Sequence, residues 1–289
     1  MAIKTVGIIS KPKKAEIGQI VPPLVRWLRE RKINVVIDKE TATIVGSDEP
    51  SVSRNEIPSQ ADLLIVLGGD GTLLAAARVI NKKNLPILAI NLGGLGFLTE
   101  TPVESLYPAL EEVLAGKAKT RPRTQMHVEV IRAGESISQF RSLNDIVLNK
   151  AAIARILDFE VCVDRDFVAS YRADGVIVST PTGSTAYSLA AGGPVVLPSV
   201  NALIIAPICA HALSSRPLVI PDTVTVDVTI KTPRESVFLT VDGQVGVALR
   251  TDDLVRVKKA EQMVELVVPS RQTFYDILRQ KLQWGGRTT

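Results

Sequence analysis

The sequence contains few of the residues that build disulfide frameworks, metal clusters or nucleic-acid stacking surfaces. Of its 289 residues, 2 are cysteine, 2 are histidine and 4% are aromatic. Two cysteines cannot form a disulfide framework, and with two histidines they are too few for a cysteine-rich zinc site. Because aromatic side chains are so sparse, we expect no surface that stacks single-stranded nucleic acid and no nucleic-acid partner. The low cysteine content is compatible with a reducing, cytoplasmic setting.

Long uninterrupted hydrophobic runs are also lacking. The longest charge-free segment, residues 175–215, is interrupted by Pro181, Pro194, Pro198 and Pro207. A membrane-spanning helix needs about 20 predominantly apolar residues, so this segment is expected to be buried protein instead. The apolar stretch near the first residue is too short for a signal-peptide core. We therefore expect a soluble, cytoplasmic protein with no membrane partner.

The length and the net charge of the chain constrain its domain number and ligand class less strongly. At roughly 150 residues per domain, a chain of 289 residues is expected to form two domains. The 34 basic and 30 acidic residues give a formal net charge of +4. This mild excess is compatible with phosphate-bearing ligands, although basic runs such as residues 11–14 are more typical of a solvated surface.

The first part of the chain alternates apolar runs with helical patterns. A helix is predicted at Pro23–Lys32, opening with proline. Strands are predicted at Thr5–Ser10, Asn34–Asp38, Leu63–Leu67 and Pro86–Asn91. Strands that alternate with helices indicate a parallel sheet, so residues 1–120 are predicted to form an α/β domain.

From about residue 119 the pattern changes to many short strands. Thr223–Lys231 alternates almost strictly between polar and apolar residues, which is typical of a half-buried strand. Residues 121–268 are therefore predicted to form a mainly antiparallel β domain. Helical spacing returns at Phe274–Gln283, so residues 269–289 are predicted as a C-terminal helix that could pack back on the first domain.

The most informative motif of the first domain is Gly68-Gly69-Asp70-Gly71-Thr72. It follows a predicted parallel strand and precedes a helix, which is where open α/β sheets place their ligands. Glycines allow close approach of a phosphate, and a helix N-terminus attracts anions. Asp70 would repel a phosphate, so its presence indicates either acceptance of a hydroxyl proton or contact with a phosphate-bound Mg²⁺.

Two further segments carry polar side chains at predicted strands. Residues 174–194 form a strand followed by a loop dense in hydroxyl groups and glycine, which suits a base edge and ribose hydroxyls. Asn144 and Asp145 lie side by side in a strand, where adjacent side chains face opposite ways; one could bind ligand while the other braces it. A Walker-type phosphate loop and the Gly-x-Gly-x-x-Gly dinucleotide fingerprint are both absent.

Taken together, these segments resemble the NAD kinase family. The matching segments, in family order, are Gly68–Thr72, Asn91–Phe97, Asn144-Asp145, Asp174–Pro194, His211–Ile220 and Val241–Gln244. The long segment at Asp174 is highly specific, whereas Gly-Gly-Asp-Gly-Thr also occurs in phosphofructokinases and in diacylglycerol and sphingosine kinases. Many family members have Asn-Glu where this chain has Asn144-Asp145, so the carboxylate is kept with a shorter reach.

The resemblance implies an N-terminal α/β domain of the NAD kinase/phosphofructokinase type, a C-terminal β domain, and transfer of the γ-phosphoryl group of ATP to the 2′-hydroxyl of the adenosine ribose of NAD. Asp70 would be the catalytic base, Asn144 and Asp145 would hold the adenosine ribose, and Thr185, Ala186 and Tyr187 would contact the adenine or nicotinamide end. The remaining binding residues implied are Gly68, Gly69, Gly71, Thr72, Phe97, Arg155, Arg172, Asp174, Ser188, Leu189, Ala190 and Gln244.

The resemblance also implies a divalent ion, Mg²⁺ or Mn²⁺, without a dedicated protein site, which Asp70 could reach through bound phosphate. A homodimer or homotetramer is implied as well. Two alternatives stay open: a lipid kinase of the diacylglycerol or sphingosine type, and a non-catalytic NAD sensor. The sequence leaves undecided NAD against NADH, ATP against polyphosphate, and feedback by NADP or NADPH.

Overall fold

The computed structural model describes residues 3–12, 16–46, 49–80, 85–150, 156–232, 237–268 and 273–284. The chain divides into two compact units. The first holds Met1–Pro122 and Val264–Thr289, and the second holds Arg123–Met263.

The secondary structure is dominated by strands. In chain order the strands are β1 (Thr5–Ser10), β2 (Asn34–Asp38), β3 (Ser51–Val52), β4 (Leu63–Gly68), β5 (Pro86–Asn91), β6 (Thr101–Pro102), β7 (Lys119–Arg123), β8 (Met126–Arg132), β9 (Glu135–Ser142), β10 (Asp145–Lys150), β11 (Leu157–Val163), β12 (Asp166–Ala173), β13 (Gly175–Ser179), β14 (Ala202–Ile208), β15 (Leu218–Pro221), β16 (Val226–Ile230), β17 (Val237–Val241), β18 (Val245–Leu249), β19 (Leu254–Lys259) and β20 (Val264–Val268). The helices are α1 (Ile17–Glu30), α2 (Lys39–Val45), α3 (Ile57–Gln60), α4 (Asp70–Val79), α5 (Leu106–Leu114), α6 (Tyr187–Ala190) and α7 (Phe274–Leu282).

The first unit is built on an eight-stranded sheet with the order β3-β2-β1-β4-β5-β20-β7, in which β6 also pairs with β5. Strands β1 to β5 pair in parallel, which confirms the predicted parallel sheet. The strand order reverses between β1 and β4, and ligands of such sheets bind at the carboxyl ends of the strands on either side of this point. The motif at residues 68–72 lies there and begins with the last residue of β4.

The last strand of the first sheet comes from the far end of the sequence. β20 pairs in parallel with β5, with Glu265 opposite Pro86 and Leu266 opposite Ile87. The sequence pattern predicts these residues as part of the β domain, because alternation of polar and apolar residues indicates a strand but does not identify the strand with which it pairs. Helix α7 also belongs to the first unit.

Helix α1 begins six residues before the predicted start at Pro23 and contains both Pro22 and Pro23. Its buried residues Ile17, Val21, Leu24 and Leu28 recur at helical spacing and form the face that packs on the sheet. The burial of this face offsets the two backbone hydrogen bonds that the prolines cannot donate. Proline was therefore a misleading signal for the start of this helix.

The second unit contains two six-stranded sheets, ordered β15-β14-β13-β10-β17-β18 and β12-β11-β16-β19-β8-β9. The pairings described within them are antiparallel, which confirms the predicted antiparallel domain. One hydrophobic core draws on both sheets and includes Ile146, Leu148 and Phe159. Side chains alternate along a strand, so Asp145, Val147 and Asn149 of β10 lie on the opposite face of their sheet.

None of the helices in the described part of the chain is long and apolar enough to cross a membrane.

Candidate active site

Asp70 is the first residue of α4 and directly follows the β4 strand and Gly69. A negative charge in the first turn of a helix interacts favourably with the helix dipole. Gly68 allows the chain to enter the helix tightly, because a Cβ there would lie only 2.3 Å from Thr72 Oγ1. The local sequence therefore determines the position of the Asp70 backbone at the start of α4.

The carboxylate of Asp70 is held by the loop that follows β5. Its Oδ1 accepts hydrogen bonds from Leu98 N (3.2 Å), Thr99 N (3.0 Å) and Thr99 Oγ1 (2.9 Å). Its Oδ2 accepts one, from Phe97 N at 2.9 Å. A carboxylate oxygen offers about two lone-pair sites, so Oδ1 is fully engaged while Oδ2 can accept one further hydrogen bond.

Two residues of this loop make the arrangement possible. Asn91 holds the loop, since its amide nitrogen lies 2.7 Å from Gly94 O and 3.2 Å from Thr99 Oγ1, and its oxygen accepts from Gly93 N at 2.7 Å. Gly96 leaves the space that the carboxylate occupies, because a Cβ at this position would lie 2.0 Å from Asp70 Oδ1. Phe97 lies in the same loop, and the Lys281 ammonium of α7 is 5.7 Å from the centre of its ring.

The described residues contain no group of three or more His, Cys, Asp or Glu side chains that could hold a metal ion. Mg²⁺ is commonly bound through one or two carboxylates together with substrate phosphates. The open acceptor position at Asp70 Oδ2 fits that pattern, with a single protein oxygen available beside a phosphate-bound ion.

In the second unit, a cavity of about 290 Å³ lies on the outer face of the sheet that contains β10. Its lining residues are Asn144, Asp145, Val147, Asn149, Ala186, Tyr187, Thr240, Asp242 and Gly243. Four residues predicted from the sequence are thus brought together here: Asn144, Asp145, Ala186 and Tyr187. Adjacent residues of one strand are expected to face opposite ways, but Asn144 and Asp145 both line the cavity because Asn144 lies in the turn before β10.

The carbonyl groups of this turn are fixed by the segment at residues 179–183. Leu143 O accepts a hydrogen bond from Thr180 Oγ1 at 2.6 Å, and Asn144 O accepts one from Thr180 N at 2.9 Å. Gly183 packs against the turn so closely that a Cβ would lie 2.1 Å from Asn144 O. Asn144 Oδ1 is buried without a hydrogen-bond partner in the described part of the chain, which leaves it as an open acceptor at the cavity.

Asp145 is buried, with 4% of its surface exposed. Its burial and the negative charge of Asp242 raise its pKa to about 7, against the opposing effect of the hydrogen bond from Tyr187 N. The carboxyl group thus changes charge near neutral pH, whereas an unperturbed aspartate is ionised well below it.

The other predicted residues of the second unit are not among those that line this cavity. Thr185 donates its hydroxyl to Thr182 O, and Ser188 is fully buried in α6, in which Leu189 and Ala190 follow. Arg172 is exposed on β12 and Gln244 in the turn after β17. Asp174 accepts a hydrogen bond from Lys150 Nζ at 3.0 Å. Arg155 lies outside the described residues.

Four residues that shape the two sites were not among the sequence candidates: Asn91, Gly96, Thr99 and Asp242. Three of them, Asn91, Gly96 and Asp242, belong to segments that carried the family resemblance, but no pattern assigned them a role. A larger cavity, of about 620 Å³ beside α1, contains none of the candidate residues.

Comparison with protein families gives two matches along the chain. Residues 6–118 match the ATP-NAD kinase N-terminal domain, and residues 143–268 match the ATP-NAD kinase C-terminal domain. The chain is 50% identical over 285 residues to the NAD kinase of Solibacter usitatus, with 99% of each chain covered. It is 48% identical over 286 residues to the NAD kinase of Koribacter versatilis, with 99% of this chain and 100% of the relative covered.

Solved structures show the same fold. Yeast NADH kinase, crystallised with NADH, superposes with a TM-score of 0.91 at 27% identity and covers 100% of this chain and 91% of its own. An NAD kinase from Archaeoglobus fulgidus, solved with ATP, gives a TM-score of 0.75 at 23% identity, covers 98% of this chain and 100% of its own, and supports the fold alone. With both domain families matched and close relatives aligned along nearly the whole length, the chain belongs to the ATP-NAD kinase family.

Proposed function

We propose that the chain is an ATP-dependent NAD kinase, which transfers the γ-phosphoryl group of ATP to the 2′-hydroxyl of the adenosine ribose of NAD and so forms NADP. The full-length relatives at 50% and 48% identity are NAD kinases. These relatives give no support to a lipid kinase or to a non-catalytic sensor. The yeast neighbour was crystallised with NADH, so NADH is a second acceptor to be tested.

The observation that carries the mechanism is the orientation of Asp70. Three donors engage Oδ1, and one donor engages Oδ2. Oδ2 is therefore the oxygen that accepts the proton of the 2′-hydroxyl as the hydroxyl oxygen bonds to the γ-phosphorus of ATP. The bond from this phosphorus to the bridging oxygen breaks, and ADP leaves. The loop donors prevent the carboxylate from rotating, so the acceptor lone pair keeps one direction. Positioning of this kind supplies most of the catalysis in phosphoryl transfer.

The glycine-rich turn of the first unit is proposed to contact phosphate. Gly68, Gly69, Gly71 and Thr72 surround the start of α4, a ten-residue helix whose N-terminus attracts anions. A divalent ion, Mg²⁺ or Mn²⁺, neutralises the developing charge on the phosphates when it is bound with them. Asp70 would interact with this ion through the bound phosphate, since the open position on Oδ2 is assigned to the 2′-hydroxyl.

In the second unit, Asn144 and Asp145 are proposed to hold ribose hydroxyls of NAD. The open Asn144 Oδ1 and the Asp145 carboxyl group both face a cavity of about 290 Å³. Ala186 and Tyr187 line the same cavity and are proposed to contact a base of the dinucleotide. Less direct support, from the family resemblance alone, exists for the following residues: Phe97, Arg155, Arg172, Asp174, Thr185, Ser188, Leu189, Ala190 and Gln244.

Several properties of the family are carried over as proposals. We propose a cytoplasmic enzyme that works as a homodimer or homotetramer. The domain division expected from the sequence, residues 1–120, 121–268 and 269–289, is kept as a proposal for the α/β domain, the NAD-binding β domain and the C-terminal segment, except that the strand at 264–268 is assigned to the first domain, whose sheet it completes.

The function is tested with purified protein, Mg²⁺, ATP and NAD, and with a dehydrogenase specific for NADP as the readout. NADP should form in proportion to enzyme and time. Parallel reactions replace NAD by NADH and ATP by polyphosphate. If no phosphorylated dinucleotide forms with any donor or acceptor, the chain is not an NAD kinase.

A further inference from the structure

Asp242 lies in the turn that follows β17 and faces the turn that carries Asn144 and Asp145. Its backbone has a φ of 51°, in the left-handed region that aspartate and asparagine tolerate better than most residues. In this conformation its N–H donates to Asp145 O at 2.9 Å. The main chain of Asp242 is thus bonded directly to the residue proposed to hold ribose.

The side chain of Asp242 accepts hydrogen bonds from the backbone N–H groups of the neighbouring turn. Oδ1 accepts from Asn144 N at 2.8 Å, Ser142 Oγ at 2.7 Å, Leu143 N at 3.2 Å and Asp145 N at 3.4 Å. Leu143 N also lies 3.2 Å from Oδ2. One carboxylate therefore gathers three successive backbone N–H groups, while Thr180 binds the carbonyl groups of the same turn.

We propose that Asp242 is a positioning residue for dinucleotide binding, which holds the backbone of Ser142–Asp145 so that Asn144 and Asp145 present their side chains to the ribose of NAD. This inference rests on the proposed function. Asp242 acts through Asn144 and Asp145, so its loss should weaken NAD binding without changing ATP binding.

The charge of Asp242 has a second consequence for the same site. The titratable groups that line the cavity, among the described residues, are Asp145, Asp242 and Tyr187, and no cation lines it. Burial and the charge of Asp242 raise the pKa of Asp145 to about 7. An ionised Asp145 is the stronger acceptor for a ribose hydroxyl, so NAD affinity should rise as the pH increases through about 7.

Two substitutions separate the hydrogen bonds of Asp242 from its charge. Asp242→Ala removes every side-chain acceptor. Asp242→Asn keeps an oxygen at the Oδ1 position and tolerates the positive φ, but it removes the negative charge. Asp164→Asn is a matched control, because Asp164 also has a positive φ of 48° and also accepts a backbone N–H, from Thr225 at 2.8 Å, away from the cavity.

The dissociation constants of NAD and ATP are measured by calorimetry from pH 5.5 to 8.5. Asp242→Ala should weaken NAD by about ten- to a hundredfold at pH 8, which corresponds to the loss of the hydrogen bond between the ionised Asp145 and ribose. Asp242→Asn should stay within about threefold of wild type at pH 8, while the midpoint of its pH profile falls below that of wild type. ATP binding should be unchanged in both, and Asp164→Asn should match wild type.

Each outcome bears on a separate claim. If Asp242→Ala is folded, as judged by circular dichroism, and binds NAD like wild type, Asp242 does not position the site. If Asp242→Ala does not fold, Asp242→Gly takes its place, because glycine also lacks the acceptors and adopts the positive φ without strain, and wild-type NAD affinity in that variant overturns the inference. An unchanged pH profile of Asp242→Asn overturns the claim that the charge of Asp242 tunes Asp145. A wild-type protein that binds no NAD at any pH would instead contradict the proposed function itself.

Discussion

Asp70 in the first unit and Asp145 in the second are both carboxylates at a candidate site, but their surroundings differ in kind. Asp70 is half-buried and accepts four hydrogen bonds from one loop. Asp145 is buried, accepts a backbone hydrogen bond from Tyr187, and has a second carboxylate, Asp242, as its neighbour. The structure therefore fixes the orientation of the Asp70 carboxylate, whereas it makes the charge of the Asp145 carboxyl group sensitive to pH.

This contrast suits the two different chemical tasks that we propose for Asp70 and Asp145. A group that takes a proton during phosphoryl transfer must keep its lone pair aligned with the attacking hydroxyl, which four donors achieve. A group that holds a ribose hydroxyl must above all recognise its ligand, and its charge state decides how strongly it accepts a hydrogen bond. Substitutions can therefore alter the orientation of Asp70 and the charge of Asp145 separately.

The largest effect is expected from Asp70→Asn. An amide cannot accept the hydroxyl proton, so kcat should fall by roughly 10²–10⁴, the usual contribution of a general base. NAD binding should stay within a few-fold of wild type, because the amide keeps the shape and most of the hydrogen bonds of the carboxylate. Steady-state kinetics and calorimetric titration with NAD measure the two effects.

A matched control exists at the opposite end of β4. Asp62 precedes this strand and accepts backbone hydrogen bonds from Lys4 N and Thr5 N, both at 3.0 Å. Asp62→Asn should leave kcat within about twofold, since surface changes away from a site have small effects. An Asp70→Asn enzyme that turns over near the wild-type rate would show that Asp70 is not the base.

The next effect is expected from Gly96→Ala, which tests the fixed direction of Asp70 without removing the carboxylate. The added Cβ would lie 2.0 Å from Asp70 Oδ1 and 2.4 Å from Thr99 Oγ1, so one of these groups must move. A displacement of about 1 Å at a reacting group can reduce turnover by about 10², and we expect kcat to fall between ten- and a hundredfold. Steady-state kinetics measures the loss, with thermal unfolding to check the fold.

Gly94→Ala is the control, because it lies in the same loop and a Cβ there meets nothing within 4 Å. It should leave kcat almost unchanged. Equal activity of the two alanine variants would mean that the orientation of Asp70 does not depend on this loop.

A moderate effect on binding is expected from Asp145→Ala. The loss of a hydrogen bond to a charged group is worth about 1.5–3 kcal/mol, so NAD affinity should fall by roughly ten- to a hundredfold at pH 8. NADP should lose less, because its extra phosphate is repelled by the ionised carboxylate that the substitution removes. ATP should be affected much less. Calorimetric titration measures the affinities for the three nucleotides. Equal losses of affinity for NAD and NADP would mean that Asp145 supports the structure of the site and does not contact the ribose.

The sequence predicted most of the fold but only part of the two sites. Periodicity located the strands, and the motif at residues 68–72 located Asp70, because both signals are local. Pairing between distant segments leaves no local signal, so the partner of β20 was not predicted. The same holds for Thr99, which binds Asp70 across 29 residues, and for Asp242, which binds Asn144 across 98. The start of α1 was predicted wrongly at Pro23, because the burial of the helix face outweighs the helix-breaking tendency of proline. Asn144 was predicted in a strand but lies in a turn, because strand pairing begins only at Asp145.

The last expected effect concerns stability alone: a pH dependence of the free energy of unfolding that originates from Asp145. Its carboxyl group keeps its proton in the native state up to about pH 7, but in the unfolded chain it loses the proton near pH 3.9. Between these values the unfolded state binds fewer protons, so the free energy of unfolding should fall as the pH rises, by up to about 1.4 kcal/mol per unit from this one group. Asp145→Asn lacks the ionisation, so its stability relative to wild type should increase from pH 5 to pH 7 and become constant above pH 8. Urea denaturation at pH 5, 6, 7 and 8 measures this difference. Asn144→Ala changes the same cavity without removing an ionisable group, so its offset from wild type should not vary with pH. A constant offset for Asp145→Asn as well would mean that the pKa of Asp145 is not raised in the native state.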